Sequence, residues 1–151
     1  MIRASLMQAP AAMGKLLATL ERLAYVPRKV AVLAAPRITR ELQVQFRQGR
    51  DPYGTPWAPL KPSTLQRHGP PPLTDSGAGR DATKATALAS NRAGIHITLG
   101  RAYLYFAQSG FRVGRTKVKP RRILPQSGIP ATWRDILVAS ARQAVREAAR
   151  G

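Results

Sequence analysis

The chain has 151 residues, of which 44% are hydrophobic, and it contains no cysteine. This length fits a single domain covering residues 1–151, with enough apolar content to form a hydrophobic core. The lack of cysteine excludes disulfide bonds and thiolate zinc sites. The longest apolar run is far shorter than the 18 or so residues of a spanning helix, so we expect neither a membrane segment nor a signal peptide.

Charge is the most unusual property of the composition. There are 25 lysines and arginines against 7 aspartates and glutamates, which gives a formal net charge of +18 at pH 7. Nucleic acid is one partner that such a surface favours, because clustered cations release the counterions of phosphates. Acidic protein neighbours in an assembly would neutralise the same surface, and both alternatives stay open on charge alone.

Two amphipathic helices are predicted in the first third of the chain. Over residues 13–26, apolar side chains recur at steps of three and four, and Pro27 is expected to end this helix. A second helix is predicted over residues 38–48, with Pro36 as its boundary and Gly49 as its stop.

The segment that follows, DPYGTPWAPLKPST (residues 51–64), cannot be a regular helix or a central strand because of its four prolines. Its first four residues fit a tight turn with proline at the second position and glycine at the fourth. We call residues 51–64 the strap, since the later prolines keep the backbone extended. Trp57 is expected to plug the end of a small core rather than to bind a ligand.

The middle of the chain combines a loop, a strand and a short helix. Residues 68–80 are rich in proline and glycine and predict a long exposed loop. Residues 94–99 alternate apolar and polar side chains, which is typical of a half-buried strand with His96 on its polar side. The stretch AYLYFAQSG predicts one or two helical turns that end at Gly110.

Two groups of cations are candidate contacts for DNA or for an acidic partner. The first lies in the extended stretch FRVGRTKVKPRRIL, where the spacing of Arg115, Lys117 and Lys119 predicts three cations on one side of a ribbon. The second lies at four-residue steps on a C-terminal helix predicted over residues 132–150, with Thr132 as its cap. A solvated surface is the alternative for both groups. The candidates are Arg112, Arg115, Lys117, Lys119 and Arg121 in the first group and Arg142, Arg146 and Arg150 in the second.

Catalytic chemistry is not expected. Ser76 could be a nucleophile only beside His68 or His96, and it lacks the surroundings of a nucleophile elbow. The seven carboxylates are scattered singly along the chain, so they predict no metal site. The glycines of SGAG lack a strand and a helix around them, so no nucleotide or other cofactor is expected.

From about Ile38 to the C-terminus, the chain resembles the phage virion morphogenesis family, the tail completion proteins of tailed bacteriophages. The family pattern resembles [PD]-x-G-x-x-W-x-P-L-x-x-x-T after an amphipathic helix, then a tyrosine-containing helix ending in Gln-x-Gly, then Pro-x-Arg. The matching residues are Gly54, Trp57, Pro59, Leu60 and Thr64 in the strap, Tyr103, Gln108 and Gly110 in the short helix, Pro120 and Arg122, and finally Trp133 in GIPATWRDIL. The chain departs from the family at Ala107, where a histidine is common, and at Ile123 and Leu124, where Phe-Leu is common.

This resemblance implies an α+β fold in which a small antiparallel sheet packs against N-terminal and C-terminal helices, with long loops. Residues 1–30 are then a helical extension that the resemblance does not cover. The implied function is structural: a homo-oligomeric ring at the head–tail junction of the virion, at the neck, tail completion or tail terminator position. Its implied partners are head–tail connector, portal-side or tail-tube proteins, and genomic DNA in the lumen. Host cytoplasm during assembly and the virion afterwards are the implied locations. The alternative function is a free-standing DNA-binding protein without sequence preference.

Overall fold

Six helices and two antiparallel ribbons of two strands make up the computed structural model, which describes residues 3–69, 71–88 and 93–150. In chain order, the elements are α1 (Arg3–Ala24), α2 (Val26–Gln48), α3 (Pro62–His68), α4 (Ala78–Ala82), β1 (Lys84–Ala87), β2 (Ile95–Thr98), α5 (Ala102–Ser109), β3 (Phe111–Val113), β4 (Thr116–Val118) and α6 (Ala131–Arg150). The predicted α+β class is confirmed, although the strands form two separate ribbons rather than one sheet.

The boundaries of the first two helices differ from those predicted. Helix α1 ends at Ala24, and Tyr25 separates it from α2. Pro27 lies in the first turn of α2, where a backbone nitrogen has no carbonyl partner within the helix, so the missing N–H of proline costs nothing. Pro36 was expected to begin a helix but lies inside α2. A proline inside a helix costs about 3 kcal/mol. The face of α2 that packs in the core continues on both sides of Pro36 and offsets this cost.

The core lies along one face of α2. Ala34, Ala35, Ile38, Leu42 and Phe46 are buried at steps of three and four residues, as one helix face requires. Helix α6 and strand β1 pack against this helix. The remaining core side chains come from later segments: Trp57, Ala85, Leu99, Leu104, Ile123 and Trp133.

The β1–β2 ribbon covers the side of α2 with an antiparallel register in which Lys84 lies opposite Thr98. Thr39 of α2 fixes the ribbon, because its hydroxyl oxygen accepts a hydrogen bond from the backbone N–H of Ala85 at 2.9 Å. Strand β2 confirms the strand predicted over residues 94–99. His96 is exposed on it, as expected.

Helix α6 is bound to α2 by polar contacts as well as by apolar ones. The Arg37 guanidinium donates to the side chains of Ser140 and Gln143, at 3.3 and 2.9 Å. Lys29 and Glu147 form an ion pair near the other end of the contact. The predicted helix is confirmed, but it begins at Ala131, so the prediction of Thr132 as its cap is wrong. The backbone N–H of Arg134 instead bonds the carbonyl of Pro130.

The segment over residues 68–80 is less open than its composition suggested. Pro72, Gly77 and Gly79 are buried within it, and α4 begins at Ala78. Gly79 allows the hydroxyl of Tyr103 to lie where a Cβ atom would be. The prediction of an exposed loop throughout this segment is therefore wrong. Within the described residues, none of the helices combines the length and hydropathy needed to cross a bilayer.

Candidate partner interface

The strap and the segment over residues 121–128, which we call the return segment, lie side by side and form the base of the candidate interface. The Trp57 side chain is 6% exposed, as predicted, and its ring meets that of Phe46 edge-on. Its indole N–H donates to the backbone carbonyl of Arg122 at 2.8 Å. The indole therefore fills the core and satisfies the backbone of the return segment.

Gln108 makes the second connection to the return segment. Its side-chain oxygen accepts hydrogen bonds from the backbone N–H groups of Ile123 and Leu124, at 2.6 and 2.9 Å, and its nitrogen donates to the Leu124 carbonyl at 3.0 Å. A glutamine amide has one acceptor and one donor group, and both are used here. The Gln108 side chain therefore pairs with backbone N–H and C=O groups of the return segment, as the backbone of a neighbouring strand would.

Three further side chains complete this arrangement. The Gln45 side chain donates to the carbonyl of Ile123 at 3.2 Å from inside the core. The hydroxyl of Tyr53 accepts a hydrogen bond from the backbone N–H of Ser127 at 3.0 Å. The guanidinium of Arg121 donates to the carbonyls of Ala58 at 3.0 Å and Pro59 at 3.3 Å. The strap and the return segment are thus bound to each other mainly through side chains.

The residues that carry the family resemblance are distributed around this base. Trp57 and Trp133 are buried, Leu60 and Thr64 are half-buried, and Pro59 and Arg122 are exposed. Gly54 closes the strap turn with a φ of 93°, and Gly110 follows α5 with a φ of 76°. The strap, Gln-x-Gly and Pro-x-Arg motifs come together here: Trp57 bonds Arg122, and a Cβ on Gly110 would lie 3.2 Å from the Pro120 ring.

The β3–β4 hairpin projects from this base. Its register places Arg112 directly opposite Lys117, so two like charges face each other across the ribbon. Arg115 lies in the turn rather than on a strand, which corrects the expectation that it lines up with Lys117 and Lys119 along one ribbon side. All four of these cations are exposed.

A groove of about 630 Å³ separates the hairpin from the strap and α3. Phe111, Val113 and Leu60 give it an apolar floor, while Lys61 and Lys117 lie among the residues around it. The described residues that line this groove include no carboxylate. Such a groove suits a partner segment that carries both acidic and apolar side chains.

Arg121 differs from the other cations of its group. Partial burial lowers the pKa of its guanidinium from the ordinary value, yet an arginine at this depth stays charged. Its Nε and one of its terminal nitrogens donate to the strap carbonyls of Ala58 and Pro59, so Arg121 contributes to holding the base together. The second group lies apart on α6, where Arg142, Arg146 and Arg150 are all exposed.

Ser76 and His96, the two described residues considered as catalytic partners, each contact a residue two positions away in the sequence. Ser76 is exposed and its hydroxyl lies 3.4 Å from the backbone nitrogen of Ala78. His96 lies on the exposed side of β2 with its Nδ1 atom 3.3 Å from the Thr98 hydroxyl. The side chain of His68 lies outside the described part. No three His, Asp or Glu side chains of the described residues are grouped so as to hold a metal ion.

Gln45 and Tyr53 help to hold the base of the candidate interface together, and neither role was predicted from the sequence. Gln45 follows the buried Leu42 by three residues, so a polar residue on an apolar helix face was the available signal.

Comparison with protein-family models, with curated proteins and with solved structures finds no match for this chain.

Proposed function

We propose that this chain is a structural subunit of a tailed-phage virion, which forms a homo-oligomeric ring at the head–tail junction and joins head to tail. The observation that carries the proposal is the meeting of its motif residues in space. Trp57, Gln108 and Arg122 are far apart in the sequence but share one hydrogen-bonded base. A motif that maintains a rigid base, without a catalytic group, fits an assembly protein better than an enzyme.

The projecting hairpin supports the same proposal. A ring subunit needs a rigid body and exposed elements that reach the neighbouring ring. The β3–β4 hairpin is exposed at Arg112, Arg115 and Lys117 and stands on a body that holds both of its ends. Acidic surfaces of connector, portal-side or tail-tube proteins would pair with these cations, and so would DNA passing through the lumen.

The test uses particles assembled with an epitope-tagged copy of this chain. We expect the tagged chain to remain on purified particles after a high-salt wash and to form a ring between head and tail in cryo-electron microscopy. Washing the chain off with salt, or finding it only in unassembled lysate, would contradict the proposal. A chain with Gln48→Ala, a change at an exposed position of α2, should likewise remain on the particles.

A second candidate function is a free-standing protein that binds duplex DNA without sequence preference. The net charge of +18 and the exposed cations of the hairpin and α6 favour it. This candidate requires isolated subunits to bind DNA and to be absent from washed particles, so the same particle preparation separates the two functions.

A further inference from the structure

Between residues 13 and 24, helix α1 exposes most of its side chains to solvent. Every side chain over residues 13–24 is exposed except that of Ala18, which is half-buried. Five of these side chains are large and apolar, and they form what we call the α1 ridge: Met13, Leu16, Leu17, Leu20 and Leu23, each between 41 and 57% exposed. Helices in proteins are stabilised chiefly by packing of an apolar face, and the described residues of the same copy leave this face about half exposed.

The described residues of the same chain also form an apolar cleft. It measures about 330 Å³ and lies between α2, β2 and α6. Val30, Ile95, Ile97, Ile129 and Leu137 are among its lining side chains. The described residues around it include no charged side chain. Ile129 is 53% exposed at its margin, which leaves the cleft accessible from outside.

We propose that the α1 ridge of one copy docks in the apolar cleft of a second copy of this chain. A ridge and a cleft are different surfaces, so the contact is head-to-tail: each subunit gives its ridge to one neighbour and receives the ridge of another. Such contacts close into a ring when the rotation between subunits permits it. This contact would join neighbouring subunits of the proposed ring, and the closing of the ring rests on the proposed function.

Charge favours a second copy as the occupant. Two chains of +18 repel each other over most of their surfaces. Only Lys15, Glu21 and Arg22 are charged between residues 13 and 24, and the cleft lining has no charge, so these surfaces can meet with little repulsion. The length also fits, because 22 helical residues extend roughly 33 Å, about the diameter of a small domain.

A membrane surface fits the ridge less well. Interfacial helices typically combine a strongly basic polar face with aromatic anchors. Residues 13–24 hold two cations and one acid and no aromatic residue. The alternative contact between two copies is ridge to ridge, in which the α1 ridge of one copy packs against the α1 ridge of the other.

Sedimentation of the full chain tests the contact without any virion. We expect the wild type to form concentration-dependent oligomers and Leu16→Glu/Leu20→Glu to sediment as a monomer with an unchanged far-UV circular dichroism spectrum. Because both leucines are exposed, their replacement leaves the core intact. The control Lys15→Glu/Thr19→Glu, on the polar side of α1, should still associate. A monomeric wild type, including one that binds anionic lipid vesicles, would overturn the proposal.

Disulfide trapping identifies which surfaces meet, because the chain has no cysteine of its own. Three variants, Met13→Cys, Leu17→Cys and Leu20→Cys, are each mixed with an Ile129→Cys chain that carries a tag and so differs in mass. Each mixture is then mildly oxidised. At least one pair should give a mixed disulfide, several times more than Thr19→Cys with Ile129→Cys. Disulfides only between two ridge copies, or no excess over the control, would refute docking in the cleft.

The two proposals fail separately. If the glutamate variant enters particles as well as the wild type and associates equally in solution, the ridge contact is wrong and the virion function stands. If the ridge and cleft cross-link but the chain is missing from washed particles, the contact stands and the virion function is wrong.

Discussion

The side-chain oxygen of Gln108 lies 2.6 Å from the backbone nitrogen of Ile123 and accepts its hydrogen bond. Ile123 is fully buried, so its N–H group has no access to water and depends on this acceptor. The same oxygen serves Leu124. A single side chain therefore pairs two backbone donors of the return segment.

Replacing Gln108 by leucine should destabilise the protein by about 2 to 4 kcal/mol. The buried N–H of Ile123 and the half-buried N–H of Leu124 both lose their acceptor; a fully buried unpaired donor costs roughly 1 to 3 kcal/mol, and a half-buried one costs less. Urea unfolding measures this loss. The control Gln48→Leu removes an amide from an exposed position of α2 and should change the free energy of unfolding by less than about 0.5 kcal/mol. Equal effects of the two variants would show that the Gln108 hydrogen bonds do not matter.

Two replacements of Trp57 separate its packing from its hydrogen bond. Trp57→Ala should cost about 3 to 5 kcal/mol, since it opens a cavity beside Phe46. Trp57→Phe keeps most of the apolar ring but leaves the Arg122 carbonyl without its donor, so we expect a smaller loss of about 1 to 3 kcal/mol. Chemical denaturation of both variants provides the test. A near-neutral Trp57→Ala that still fails to assemble would make Trp57 an interface anchor instead.

Gly100 should not tolerate a side chain. A Cβ atom at this position would overlap the Cβ atom and the backbone carbonyl of Ala82, and backbone cannot move aside cheaply. We expect Gly100→Ala to cost about 1 to 3 kcal/mol through overpacking. Gly14 offers the matched control, because nothing lies within 4 Å of its Cβ position in α1, so Gly14→Ala should raise helix stability. Thermal unfolding that fails to distinguish these variants would contradict the close approach at Gly100.

Any binding of duplex DNA should depend on the hairpin. We expect Lys117→Gln/Lys119→Gln to weaken binding and to reduce the slope of log K against log salt by about 2, since each lost phosphate contact removes about 0.9. Arg142→Gln/Arg146→Gln removes the same charge from α6 and should leave the slope nearly unchanged. Fluorescence anisotropy over a salt series measures both. Equal losses would mean that the total charge, and not the hairpin, attracts the DNA.

Stability should fall as the pH drops below about 4.5, partly through Glu147. Hydrogen bonds from Lys29 and Gln143 lower the pKa of this carboxyl from its ordinary value of 4.5. A depressed folded-state pKa stabilises the fold above the unfolded pKa, and this stabilisation is lost as the pH falls through the folded pKa. Glu147→Gln should therefore be less stable than the wild type at pH 7 and should approach it at pH 3. An unchanged difference between pH 7 and pH 3 would rule out this linkage.

Elements whose signals are local could be predicted from the sequence. The alternation over residues 94–99 places β2 correctly, and Gly110 ends α5 as expected, because both signals depend on neighbouring residues only. The burial of Trp57 also follows from a large apolar ring in a segment without regular structure of its own. These features require no knowledge of the rest of the fold.

Features that depend on distant partners could not be predicted. Pro36 is a strong helix boundary by itself, and only the packing of α2 against α6 and β1 shows why the helix continues through it. The pairing of Gln108 with a segment 15 residues later leaves no periodic signal. The apolar period over residues 13–26 predicts a helix face, but it does not reveal that the described part of this face, over residues 13–24, stays largely exposed.

The hairpin is joined to the body at its base. Gly110 lies against Val118 and Pro120 at one end, and the Arg121 N–H bonds the Ala107 carbonyl at the other, while the turn at Gly114 has open space around it. Mutations in the turn can therefore change the shape and charge of the hairpin tip without disturbing the fold beneath it. If the tip meets a partner as proposed, the chain can adapt to a new neighbour by altering a few residues there, while the scaffold keeps its sequence.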